Sequence, residues 1–133
     1  MSSSYTVLLY SDNTKVRADM RSAIGERPAS DATIEYLEAR DYEEAIRHID
    51  TYVVDLILLD GEARPAGGMA IARQLRDELD DPPMSCLLLR RAADRWLAAW
   101  SEADASLLYP LDPLRTGATV VELLRSRRSP ATR

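Results

Sequence analysis

Two aspartates stand directly behind apolar, strand-like runs: Asp12 after Tyr5–Tyr10 (YTVLLY) and Asp60 after Val53–Leu59 (VVDLILL). Carboxylates brought to neighbouring strand ends repel one another, so such a pair either holds a hard cation such as Mg²⁺ or forces one pKa upward. The plainer alternative is that Asp12 caps a helix and Asp60 only opens a loop. Arginines flank the same regions: Arg64 follows Asp60, and Arg90 and Arg91 follow Met84–Leu89 (MSCLLL). A guanidinium matches the oxygens of phosphate and carboxylate, although loop arginines also pair with any acid nearby. Counting removes other chemistries. The single Cys86 and single His48 leave no disulfide framework, no thiolate or histidine metal site, and no Ser–His or Cys–His nucleophile.

The elements that must position these residues alternate in type. Val16, Met20, Ala23 and Ile24 recur at helical spacing between Asp12 or Asn13 as cap and Gly25 as stop. Thr33–Leu37 alternates as an edge strand. Asp41 with Glu44 opens a second helix. Met69, Ala72, Leu75 and Leu79 mark a third, ended by Pro82-Pro83. Ala93–Ala103 reads as a fourth helix, Ala105–Leu108 as a short fifth strand, and Asp112-Pro113 as the start of a last helix with Leu114, Ala118, Val121 and Leu124 inward. Alternation of this kind predicts an α/β fold with a parallel sheet covered on both faces.

The 133 residues suffice for one domain and leave no room for a second folded output module. The expected boundaries are a tail over 1–4, a domain over 5–126 and a tail over 127–133. Seventeen basic against 22 acidic residues give a net charge of −5, unevenly spread, because only Arg125, Arg127, Arg128 and Arg133 make the end basic. An acidic body argues against direct binding to nucleic acid. No apolar run has the length of a membrane span, and the polar Met1–Ser4 start is no signal peptide, so a cytoplasmic, reducing location is expected. Lys15 is the only lysine.

VLLYSDN at 7–13, DLILLDGEARPAGG at 55–68 and EADASLLYPLDP at 102–113 together resemble a bacterial response-regulator receiver domain, CheY-like, from about Tyr5 to Leu124. The resemblance implies a flavodoxin-like (βα)5 doubly wound sandwich with a five-stranded parallel sheet of order 2-1-3-4-5. It makes Asp60 the acceptor of a phosphoryl group from a histidine kinase. It also makes Asp12, Asp60 and the backbone carbonyl of Glu62 the ligands of a weakly held Mg²⁺. Gly68 matches the family's glycine after the acceptor loop, while Pro65 lies one place later than usual.

Several family positions are altered. Ser11 replaces one of two acids, the hydroxyl residue ending the fourth strand falls on apolar Leu87, Leu88 and Leu89, and Tyr109 replaces the lysine before Pro110. Ser106 stands where many receivers carry an aromatic switch residue. A phenol supplies no positive charge and leucine donates no hydrogen bond, so the resemblance is to a degenerate receiver, or pseudo-receiver. Arg64, Arg90 and Arg91 are the candidate substitute cations. The Tyr109–Pro110 bond is expected to be cis, as is common in the family.

In the fourth helix the family pattern puts Trp96 inside, Trp100 at the boundary and Leu97 outward. Leu97, Trp100, Tyr109 and Leu111 then form an apolar interaction face on the fourth helix, fifth strand and fifth helix, open to a protein partner or a homodimer. The leading expectation is a stand-alone interaction module of phosphorelay signalling, not an enzyme, with weak or absent phosphorylation. The alternatives are a working acceptor at Asp60 and an unrelated enzyme on the same fold. The last lacks a phosphate-binding Gly-rich loop after the first strand.

Overall fold

Side chains alternate along the central strands, and that period of two sorts the leucine-rich sequence into two cores. The computed structural model describes residues 3–63 and 67–128. Its elements are β1 (Ser3–Tyr10), α1 (Thr14–Ile24), β2 (Ala32–Ala39), α2 (Tyr42–Thr51), β3 (Leu56–Asp60), α3 (Gly68–Glu78), β4 (Met84–Leu89), a 3-10 turn (Ala92–Asp94), α4 (Arg95–Ser101), β5 (Ala105–Leu108) and α5 (Pro113–Arg128). All pairings are parallel, in the order β2-β1-β3-β4-β5. The fold is therefore the flavodoxin-like α/β sandwich expected from the sequence.

Val7, Leu9, Leu56, Leu58, Cys86 and Leu88 face α1 and α5, meeting Met20, Val120 and Leu124. Leu8, Tyr10, Ile57, Leu59, Leu87 and Leu89 face α2, α3 and α4, meeting Ala45, Ile71, Leu75 and Ala98. Each fully buried leucine contributes about 1.5–3 kcal/mol relative to an exposed one, and both faces of β1, β3 and β4 are covered, as a parallel sheet requires.

The helix ends follow local chemistry. Asn13, rather than Asp12, caps α1, its side chain accepting from the Lys15 and Val16 amides at 2.9 and 3.3 Å. Gly25 stops α1 at φ 76°. Asp41 and Glu44 cap α2 reciprocally: the Glu44 amide donates to Asp41 Oδ1, and the Arg40 amide donates to Glu44 Oε1, each at 2.9 Å.

Three boundaries or faces differ from the expected ones. β1 starts at Ser3, whose amide donates to the Asp31 carbonyl at 2.8 Å. β3 starts at Leu56, and Val53 is exposed in the preceding loop. On α5 the inward residues are Thr116, Val120, Val121, Leu123 and Leu124, while Leu114 is 87% exposed. Thr116 completes an i, i+4, i+8 row that the apolar pattern alone conceals.

The turn after β3 is held against β4 by the Gly61 amide, which donates to the Leu88 carbonyl at 3.0 Å. A Cβ at Gly61 would lie 2.7 Å from that same oxygen. Gly61→Ala is expected to lower stability by about 1–3 kcal/mol through forced displacement of the turn. Urea unfolding reads this directly, and an unchanged midpoint would mean that the turn yields without cost.

Candidate functional site

The strand order reverses between β1 and β3, and the carboxyl ends of those strands form the crevice where α/β sheets carry their chemistry. Asp60 is the last residue of β3 and is 2% exposed. A carboxylate this buried must be hydrogen-bonded or paired. Ser11, just beyond β1, donates its hydroxyl to Asp60 Oδ2 at 2.8 Å and accepts the Asn13 amide at 3.0 Å. The Glu62 amide donates to Asp60 Oδ1 at 2.9 Å. Arg90 Nη2 reaches the same oxygen at 3.3 Å, and Arg90 Nε lies 3.7 Å from Glu62 Oε2. Both oxygens of Asp60 are thus engaged, and its charge is matched by a guanidinium.

Arg90 is held in turn by the residue at the altered lysine position. Its guanidinium carbon sits 4.4 Å from the centroid of the Tyr109 ring, a cation–π contact. The Tyr109 hydroxyl donates to Asp19 Oδ2 on α1, and Lys15 Nζ pairs with that oxygen at 3.0 Å. A continuous chain of contacts therefore runs from Asp60 through Arg90, Tyr109 and Asp19 to Lys15. The Asp19 hydrogen bond is the main cause of a Tyr109 phenol pKa above the usual value, and it depresses the Asp19 carboxyl. Deeper in the sheet, burial first, then the charges of Asp41, Asp12 and Asp60, pushes the Tyr10 phenol up to about 12.

The other residues singled out by sequence fall as follows. Asp12 is exposed beside the crevice. Glu62 enters through its amide and its side chain. Arg91 turns away to Asp94 at 3.2 Å, and Arg64 lies outside the described residues. Leu87 and Leu89 are core under α3 and α4, and Leu88 is core under α1 and α5, so none serves as a donor. The Tyr109–Pro110 bond is cis.

The apolar face divides into two. Tyr109 and Leu111 pack against the α1–α5 core. Leu97 and Trp100 lie across the sheet, lining a groove with Trp96, Gly67, Met69 and Ala70. The expected inward Trp96 is instead 65% exposed, and Leu97, expected outward, is half-buried. The cause is helix phase: α4 starts only at Arg95, after the 3-10 turn, and buries Ala98 and Ser101. Sequence reading missed Asp19 altogether. Its spacing of four from Lys15 was the available signal.

Mg²⁺ asks for several oxygen ligands free to turn toward it. Here the Asp60 oxygens serve three donors, one of them a cation, and Arg17 donates to the Ser11 carbonyl. Among the described residues no cluster of three acidic, His or Cys side chains surrounds a metal position. This donor set does not fit a tightly bound Mg²⁺.

A buried acid at the end of β3 in a five-stranded parallel sandwich is the arrangement expected of the receiver domain that the sequence resembles. No family model matches the sequence. Two curated response regulatory proteins of Mycobacterium tuberculosis, from different strains and both uncharacterised, are 43% identical to it over 126 residues, covering 94% of this chain and 95% of theirs. Among solved structures, the receiver domain of a Francisella response regulator superimposes with a TM-score of 0.77 at 21% identity, covering 93% of this chain and 99% of that one. A LuxR-family two-component response regulator from Aurantimonas gives 0.77 at 24% identity, covering 97% and 92%. The chain belongs to the response-regulator family and is a receiver domain of two-component signalling.

Two expectations follow from the geometry. In a double-mutant cycle, Arg90→Ala and Asp60→Asn should be coupled by about 1–3 kcal/mol, because either change alone leaves a half-buried or buried partner unmatched. Additive effects on unfolding would mean the pair contributes nothing. The Tyr109–Asp19 contact should also set a pH window. The phenol's folded pKa lies above its ordinary 10.0, so its contribution is complete below pH 10.0 and is lost as pH rises through the folded value. The carboxyl's folded pKa lies below 3.8, so its contribution is complete above pH 3.8 and is lost as pH falls through the folded value. Ultraviolet titration of Asp19→Asn should show one tyrosine returning to the ordinary range, and an unchanged profile would refute the link.

Proposed function

We propose that this receiver is atypical: an interaction module whose acceptor-position aspartate is held unphosphorylated by its own arginine. The observation that carries the reading is the Arg90–Asp60 pair, 3.3 Å apart with Asp60 2% exposed. In-line phosphoryl transfer needs a carboxylate oxygen free to approach phosphorus, together with counter-charge for the transferred group. Here Ser11, the Glu62 amide and Arg90 already bond the two oxygens of a poorly solvated carboxylate, so an incoming phosphoryl group must compete with them for its lone pairs. Phosphorylation is accordingly weak or absent, and the protein acts as a binding partner rather than an enzyme.

Its output passes through the surface around α4, β5 and α5. Within that surface the exposed Trp96 and Trp100 favour the side of α4 turned toward α3 rather than toward α5, and they are the side chains best suited to anchor a protein contact. A second reading draws on the same arginine. If Arg90 swings off Asp60, its guanidinium supplies the charge that Tyr109 lacks, and Asp60 accepts a phosphoryl group from a histidine kinase.

Incubation with acetyl phosphate and millimolar Mg²⁺, followed by intact mass, separates the two. The atypical reading expects no phosphoryl adduct on the wild-type protein. A stoichiometric adduct that disappears in Asp60→Asn would overturn it in favour of the working acceptor.

A further inference from the structure

Arg90 is gripped from two sides. At the end of β3 its guanidinium lies 3.3 Å from Asp60 Oδ1 and 3.7 Å from Glu62 Oε2. From the β5 side the Tyr109 ring supports it, the centroid 4.4 Å from the guanidinium carbon. The Glu62 side chain is 64% exposed, so water screens its pull. An arginine has many rotamers to lose on being fixed. A stationary aromatic face narrows them toward the one aimed at Asp60.

That face is itself only partly fixed by packing. Tyr109 is half-buried, with one side against the α1–α5 core. It also borders a surface cleft of about 270 Å³ between α1 and the β5–α5 turn, lined by Asp19, Ser22, Ala23, Leu111 and Pro113. A ring beside empty space is not wedged in place as a core side chain is. The bond from its hydroxyl to Asp19 Oδ2 removes that freedom by tying the far end of the ring to α1. Because the acceptor is a carboxylate, this is a charge-assisted hydrogen bond.

We propose that Asp19 is a remote positioning residue of the crevice: acting through the Tyr109 ring, it keeps Arg90 on Asp60. This rests on the proposed seating of Arg90 on Asp60 and adds what governs that seating. Two separate places then share one equilibrium, Arg90 seated or released, and a change at either biases the other. The outer part of α1, where Asp19 meets the exposed Lys15 at 3.0 Å, thereby influences access to a carboxylate it does not touch. A tether that merely joined α1 to the β5–α5 turn would add stability and leave Arg90 unaffected.

The test reads Arg90 directly, through its side-chain Nε–Hε resonance in ¹H–¹⁵N spectra of the full chain, assigned by its loss in Arg90→Lys. Asp60→Asn should shift this signal and speed its exchange with water. Asp19→Asn and Tyr109→Phe should each move it toward a free arginine and accelerate exchange about two- to fivefold, the scale of one cation–π contact. The double variant should do no more than either single change, because both remove the same bond. Ile71→Val, which thins the core on the other face of the sheet, should leave the signal at its wild-type position. A wild-type signal that already behaves as a free arginine and ignores Asp60→Asn would overturn both this inference and the seating it rests on. A signal that responds to Asp60→Asn but not to Asp19→Asn or Tyr109→Phe would overturn this inference alone, as would additive effects in the double variant.

Discussion

A carboxylate buried to 2% exposure at the end of a central strand is the constraint around which the crevice is organised. A carboxylate so placed needs bonded partners in place of the water it has lost. Three neighbours hold it instead: a serine hydroxyl from the β1 end, a backbone amide from its own turn, and a guanidinium from beyond β4. Each comes from a different segment, so the carboxylate ties the ends of three parallel connections together. Ser11 at one of the family's acidic positions belongs to the same balance. A second carboxylate there would face Asp60 with repulsion, where a hydroxyl donates.

Tyr109 takes on a different task from the lysine it replaces. An ammonium would approach the carboxylate directly. A phenol instead offers a flat face under Arg90 and a hydroxyl to Asp19. The positive charge is thereby moved from β5 to the end of β4 and carried on a stiffer, planar group. The chain has a single lysine, and the cation beside Asp60 is an arginine from beyond β4.

Much of the architecture was legible in the sequence because it depends on periodicity. The strand runs, the caps at Asn13, Asp41 and Asp112, and the stop at Gly25 are local effects that a one-dimensional reading captures. Arg90 was visible as a candidate, but its direction depended on pairing register. Asp60 stands opposite Leu88, so the residue two places on points to the same side of the sheet. That register is a property of two strands together. α4 and α5 were misread for a related reason. A 3-10 turn shifts the phase of α4 and turns both tryptophans out, and a polar threonine occupies a core position on α5. Hydrophobicity alone misplaces such residues, because a small helix face against the sheet prefers alanine and serine to indole.

The chain's two tryptophans both lie on α4, four residues apart, and both are more than half exposed. Trp100 has the Arg73 guanidinium 5.0 Å from its ring. Intrinsic tryptophan emission from this protein therefore comes from a single surface helix. It is well suited to reporting what arrives at that helix and poorly suited to reporting events at the carboxylate beyond the sheet. Optical silence during a reaction in the crevice would describe the placement of the chromophores, not the state of the acid.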